Sequence, residues 1–126
     1  MLANEELIAF AATTQPDLAK SFYSSTLGLR LVADEPYAIV FDANGTMLRL
    51  QKARSHNPPP FTVLGWRVDD ISPHVKRLTE AGVVMERYPG FEQDPSGVWQ
   101  APDGTKVAWF KDPDGNTLSL TQFRKA

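Results

Sequence analysis

Few side chains in this sequence could carry chemistry of their own. There is no cysteine. That removes thiol nucleophiles, thiolate metal sites and iron–sulfur clusters together, and leaves the redox compartment open. The two histidines, His56 and His74, have no second histidine or carboxylate beside them at metal-ligand spacing. His56 lies in a proline-rich stretch, and His74 lies in the early turns of a helix, off its apolar stripe. Both read as solvated structural residues, although His56 could swing over a pocket mouth as part of a lid. Arg49 is more telling. It stands mid-strand, where a guanidinium must pair with an acid of a neighbouring strand or a partner chain, or meet an anionic ligand. The tryptophans divide by parity. Trp66 keeps step with Leu64 and Val68 and belongs under a helix. Trp109 shares a face with Ser119 and can stack on a ligand. Trp99 follows the loop Gln93-Asp94-Pro95-Ser96-Gly97, where it can cap a pocket or a contact between chains. Phe10 shares the face of Ile8 as a pocket wall. The residues expected to touch a ligand are Phe10, Arg49, Gln51, Arg67, Trp99, Trp109 and Ser119.

Other chemistries lack their motifs. There is no Gly-x-x-x-x-Gly-Lys phosphate loop, and the glycines follow no dinucleotide fingerprint. Asp112-Pro113-Asp114-Gly115 looks like part of a calcium loop but lacks the later bidentate glutamate, so it reads as a hairpin turn. Nothing points to a Ser–His–Asp arrangement.

The composition is that of a single globular domain: 126 residues, 42% hydrophobic, 10% aromatic and 22% charged. Thirteen basic residues against fifteen acidic ones give a net charge of −2, without the basic footprint of a nucleic-acid binder. The longest apolar run, Leu7 to Ala12, has six residues. A membrane helix needs about 20. The first residues, Met-Leu-Ala-Asn-Glu-Glu, show no positively charged n-region, so a cytoplasmic protein is expected.

The elements that must position these side chains follow from periodicity. A first helix starts around Thr14-Gln15-Pro16-Asp17, with proline suited to its first turn. Leu18 and Phe22 are spaced i, i+4, as are Ala19, Tyr23 and Leu27, and Gly28 closes it. A second starts at Asp69-Asp70, carries the stripe Ile71, Val75, Leu78, and closes at Gly82. Strands are expected over residues 6–13, 29–33, 37–41, 47–51, 61–68, 83–88, 106–111 and 117–122, with residues 98–101 as an optional addition to the second half. The order is β-α-β-β-β, written twice. Asp42-Ala43-Asn44-Gly45 in the first half matches Asp112-Pro113-Asp114-Gly115 in the second. Residues 1–52 form one module, residues 53–60 a proline-rich linker and residues 61–126 the other. Alternation puts Leu48, Leu50, Leu118 and Leu120 under helices. It puts Met47, Arg49 and Gln51 on the opposite, concave face.

Phe22-Tyr23, Leu27-Gly28-Leu29, Val68-Asp69-Asp70-Ile71, Gly82-Val83 and the stretch from Phe110 to Asn116 appear in an order that resembles the vicinal oxygen chelate superfamily of glyoxalases, bleomycin-resistance proteins and extradiol dioxygenases. The resemblance runs from about Leu7 to Phe123. It implies an α+β fold of two βαβββ modules rolled into a half-open barrel with the site inside, commonly assembled as a dimer. Metal-dependent members carry a histidine or similar ligand on the first strand of each module and a glutamate on the last. Here those positions hold Ile8, Arg49, Val63 and Ser119, and a slip of one residue on the first strand offers only Leu7 or Ala9. Two are aliphatic, serine is a poor ligand, and arginine repels a cation. No metal or cofactor is therefore expected. The resulting reading is a homodimer that binds a small organic molecule in the cleft between modules, with Arg49 facing an anionic group on it. The alternative is an enzyme of lyase, isomerase or dioxygenase type that works without a metal or with one at displaced positions.

Overall fold

In the computed structural model, which describes residues 1–125, the chain divides into two compact units, Met1–Asn57 and the remainder from Pro58. Each holds one four-stranded mixed sheet and one α-helix, an α+β architecture.

The first module runs β1 (Ile8–Thr13), α1 (Pro16–Ser21), β2 (Arg30–Asp34), β3 (Ala38–Ala43) and β4 (Thr46–Lys52), with sheet order β1-β4-β3-β2. β4 is the inner strand that fixes the register. It pairs in parallel with β1, placing Phe10 beside Arg49, and antiparallel with β3, placing Val40 on its other side. Leu48, Leu50, Ile39 and Phe41 point to the opposite face and are buried with Ala19 and Tyr23 of the helical segment. Such a side chain contributes roughly 1.5–3 kcal/mol when removed from water. The Tyr23 and Phe41 rings lie 5.7 Å apart. The helix is shorter than its apolar spacing suggests. After Ser21 the backbone widens into a π-turn, Phe22–Thr26, and Gly28 ends it at φ 76°. Ala19 and Tyr23 face the core, whereas Leu18 is exposed. At the hairpin between β3 and β4, Asn44 and Gly45 take φ values of 51° and 93°, where glycine carries no steric penalty.

The second module runs β5 (Thr62–Arg67), α2 (Ile71–Glu80), β6 (Trp99–Gln100), β7 (Lys106–Lys111) and β8 (Thr117–Gln122), in sheet order β5-β8-β7-β6. Asp70 caps α2 by accepting the Ser72 N–H at 3.3 Å. Ile71, Val75 and Leu78 are buried, as are Leu118, Leu120, Ala108 and Phe110 on the helix-facing side of the sheet. Trp66 keeps the same parity through its pairing with Leu120 and is half-buried.

One expected strand is missing. Residues 83–88 form no strand. Only Glu86 donates its N–H to a strand, at 2.8 Å from the Trp109 carbonyl. The Gln93 side chain takes the place of a further partner. Its amide donates to the Glu86 carbonyl at 2.9 Å, and its oxygen accepts the Tyr88 N–H at 2.8 Å. Backbone groups satisfied by a side chain have no need of a ladder, so the edge of the sheet passes to the two-residue β6.

Between β7 and β8 the turn is held by Asp112, which is buried. Its Oδ1 accepts the N–H groups of Asp114 and Asn116, both at 2.9 Å, and its Oδ2 accepts the Asn116 amide at 2.8 Å. These oxygens are occupied by the turn itself. Hydrogen bonds to a charged group contribute about 1.5–3 kcal/mol. Asp112→Ala should therefore lower unfolding stability by about 3 kcal/mol, with Asp112→Asn recovering part. Urea denaturation measures it, and a loss below about 0.5 kcal/mol would show that the turn does not depend on this carboxylate.

Candidate ligand-binding face

Each sheet buries one face against its helical segment, and the other face carries the candidate side chains. On the first sheet that face carries Phe10, Arg49 and Gln51, as strand alternation requires. Arg49 has a protein partner. Its guanidinium nitrogen lies 2.9 Å from the Glu35 carboxylate, with side chains 27% and 45% exposed. Glu35 comes from the turn between β2 and β3, fourteen residues earlier. Gln51 is exposed beside Ala12 and Ala38. At the other end of the face, Ile8, Met47 and Val40 line a hollow of about 550 Å³, rimmed by Arg30 and Asp42, which form an ion pair at 3.7 Å.

The corresponding face of the second sheet is aromatic. Gly65, Ser119 and Trp109 stand in one row across three strands, with Arg67, Thr121 and Val107 in the next. Trp99 follows beside Val107. The floor is low because Gly65 has no side chain: a Cβ there would lie 2.9 Å from the Ser119 hydroxyl. Rings rise on the β7 side of this floor. Trp109 stacks on Phe91 with centroids 5.5 Å apart and planes 13° from parallel, and meets Tyr88 edge-on at 5.3 Å. Trp99 lies 4.9 Å from Phe91 and 6.2 Å from Trp109. All four rings keep part of their surface exposed. On the β5 side, the Arg67 guanidinium sits 5.0 Å from the centre of the Phe123 ring.

The loop that delivers Phe91 and Trp99 is tied down by polar groups. Arg87 donates to the carbonyls of Asp94 and Pro95 at 2.9 and 2.7 Å. The Asp94 carboxylate accepts the Ser96 hydroxyl and the N–H groups of Ser96 and Val98. Partial burial opposes its charge, but these donors outweigh burial and hold its carboxyl below the usual aspartate range.

The sequence-derived residues thus fall into two sets: Phe10, Arg49 and Gln51 on the first sheet, and Arg67, Trp99, Trp109 and Ser119 on the second. Glu35, Tyr88, Phe91 and Gly65 were missed. The Tyr88-Pro89-Gly90-Phe91 stretch signals aromatics flanking a turn, and a glycine inside a strand signals close approach. Of the two partners open to a strand-central Arg49, an acid or an anionic ligand, the structure shows an acid, Glu35. His56 and His74 are half-buried rather than fully solvated. The positions reserved for metal ligands do not fit a metal. Val63 lies in a register shift of β5, and the cross-strand neighbours of Arg49 and Ser119 are Phe10 and Val40, and Gly65 and Trp109. No cluster of three or more histidine, aspartate, glutamate or cysteine side chains suited to a metal occurs among the described residues.

Residues 8–120 match the family model of the Glyoxalase/Bleomycin resistance protein/Dioxygenase superfamily. Among solved structures, the chain is similar to TnmS3, an antibiotic binding protein from Streptomyces sp. CB03234. The identity is 28%, the match covers 95% of this chain and 96% of that one, and the TM-score is 0.69. A superfamily member from Sphaerobacter thermophilus DSM 20745 is 24% identical over 96% of this chain and 98% of its own, with a TM-score of 0.73. A lactoylglutathione lyase from Agrobacterium tumefaciens is 18% identical over 93% and 92%, with a TM-score of 0.72. The last two likenesses show the fold alone. No curated protein matches the chain.

The Arg49–Glu35 pair is partly exposed, so its coupling should be small. A double-mutant cycle with Arg49→Met and Glu35→Gln should give about 0.2–1 kcal/mol by chemical denaturation. A coupling above about 2 kcal/mol would mean that the pair is far better shielded from water than its geometry indicates.

Proposed function

The chain belongs to the glyoxalase/bleomycin resistance protein/dioxygenase superfamily, and from that premise we propose that it binds a small, flat organic molecule on the open face of its second module, without a metal. The observation that carries this reading is the partly exposed cluster of Tyr88, Phe91, Trp99 and Trp109 above the low floor of Gly65 and Ser119. Rings fixed against one another offer stacking surface at little entropic cost. Catalysis would call for a positioned acid, base or metal-ligand set. This face instead presents rings, the Thr121 hydroxyl and Arg67, with Ser119 buried in its floor, and its Lys111 lies 3.7 Å from Glu86. The likeness to an antibiotic binding protein at 28% identity also favours binding.

The neutral probe 1-pyrenebutanol, followed by quenching of tryptophan fluorescence, tests the reading. Trp109→Ala should weaken its binding about tenfold, the worth of an aromatic stack plus lost contact area. Wild-type binding should survive dialysis against a chelator. Equal affinity for wild type and variant, or affinity restored only by added metal, would contradict the proposal.

The same reading includes a homodimer. Ile8, Phe10 and Met47 stand 44, 51 and 41% exposed on the open face of the first module, and β1 and β5 end their sheets. Association would cover such apolar surface and such edges. Light scattering at micromolar concentration should give twice the chain mass of 14.0 kDa. A monomer would remove this element.

A further inference from the structure

Arg49 and Arg67 both stand on open faces, and the structure treats them differently. Arg49 spends its charge on Glu35, 2.9 Å away. Arg67 has no carboxylate within ion-pair distance among the described residues. Asp69 lines the same shallow hollow as Arg67 without pairing with it, and Arg124 and Lys125 add positive charge there. The guanidinium is positioned all the same, because it packs over the Phe123 ring at 5.0 Å. Contact with the ring restrains the side chain while leaving its N–H donors unused, which lowers the ordering cost of meeting an anion.

Arg67 also stands on the same face as the aromatic cluster. β8 separates its strand from that of Trp109, and the two residues lie in adjacent rows. With strands about 4.8 Å apart and residues about 3.3 Å apart along them, the two Cα atoms are about 12 Å apart. Only Ser119 and Thr121 of β8 lie between, so the ground between ring and cation is low.

We propose that Arg67 is the residue that selects the ligand's charge, and that the ligand is an aromatic acid: a flat ring on the Trp109 side, joined by a short tether to a carboxylate or similar anion at Arg67. The inference rests on the proposed role of the aromatic face. It transfers to Arg67 the anion contact that the sequence alone suggests for Arg49, whose charge is already balanced.

Two probes differing only in charge test it, pyrene-1-butyrate and 1-pyrenebutanol, titrated at low ionic strength. A charge-assisted contact at an exposed guanidinium predicts that wild type prefers the acid by up to about fivefold. The preference should shrink as salt is added. Arg67→Met should bring it close to one, and Arg67→Lys should restore part of it, since an ammonium keeps the charge but not the fork. Circular dichroism confirms that the variants fold; both replace an exposed side chain. Equal wild-type affinity for the two probes overturns the Arg67 inference and leaves the stacking face standing. A preference lost in Arg49→Met but kept in Arg67→Met overturns it as well. Binding of neither probe removes the stacking face and this inference together.

Discussion

An inner strand that is hydrogen-bonded along both edges and apolar on one side governs each module. β4 runs parallel to β1 and antiparallel to β3, and β8 stands in the same relation to β5 and β7. Neither can slip without breaking two ladders. A slip of one residue would also exchange Leu48 and Leu50 for Arg49 and Gln51 on the buried face. Once the leucines are committed to the helical side, the identity of every residue on the other face follows. Arg49 and Ser119 hold equivalent places for that reason, and any chemistry on these faces starts from a guanidinium in one module and a small hydroxyl in the other.

From this shared frame the modules diverge at their outer edges. In the first, β2 is a full strand, and the turn that follows it supplies Glu35 to neutralise Arg49. In the second, the chain leaves α2 without forming a full edge strand. It is bound instead by side chains, with Gln93, Arg87 and Asp94 satisfying the backbone. That substitution gives the loop freedom to fold Phe91 back over Trp109 and to bring Trp99 alongside. The aromatic character of the second face and its short edge strand are thus consequences of one local choice. So is the asymmetry of charge: a paired arginine on one module, an arginine stacked on a ring on the other.

Much of this could be read from residue order. Strand parity placed Trp66 under a helix and Trp109 with Ser119 on the far side, because alternation is a property of the backbone. The Asn44-Gly45 and Asp112–Asn116 turns announced themselves through residues that tolerate positive φ or accept backbone N–H groups. What escaped were the contacts made by side chains across sequence. Apolar alternation in Val83-Val84-Met85 looks like a strand, and nothing local shows that Gln93 will satisfy the backbone in its place. The widening of the first helix at Phe22 leaves no mark in its apolar spacing. Glu35 reaches Arg49 only because a β-bulge and a turn bring it there. The family's metal positions could be weighed from residue type alone, since arginine repels a cation and serine is a poor ligand for a divalent metal.

On the proposed reading, the open face of the second sheet, and not its helix-packed face, receives the ligand. The three tryptophans report on it separately, because Trp99 and Trp109 lie on the open face and Trp66 on the other. Nitrogen-15 spectra of the three indole N–H groups, recorded as pyrene-1-butyrate is added, read each one directly. A ligand on the open face gives saturable shifts at Trp109 and Trp99 with Trp66 unmoved. A saturable shift confined to Trp66, or binding that leaves Trp99 and Trp109 unmoved, would contradict it.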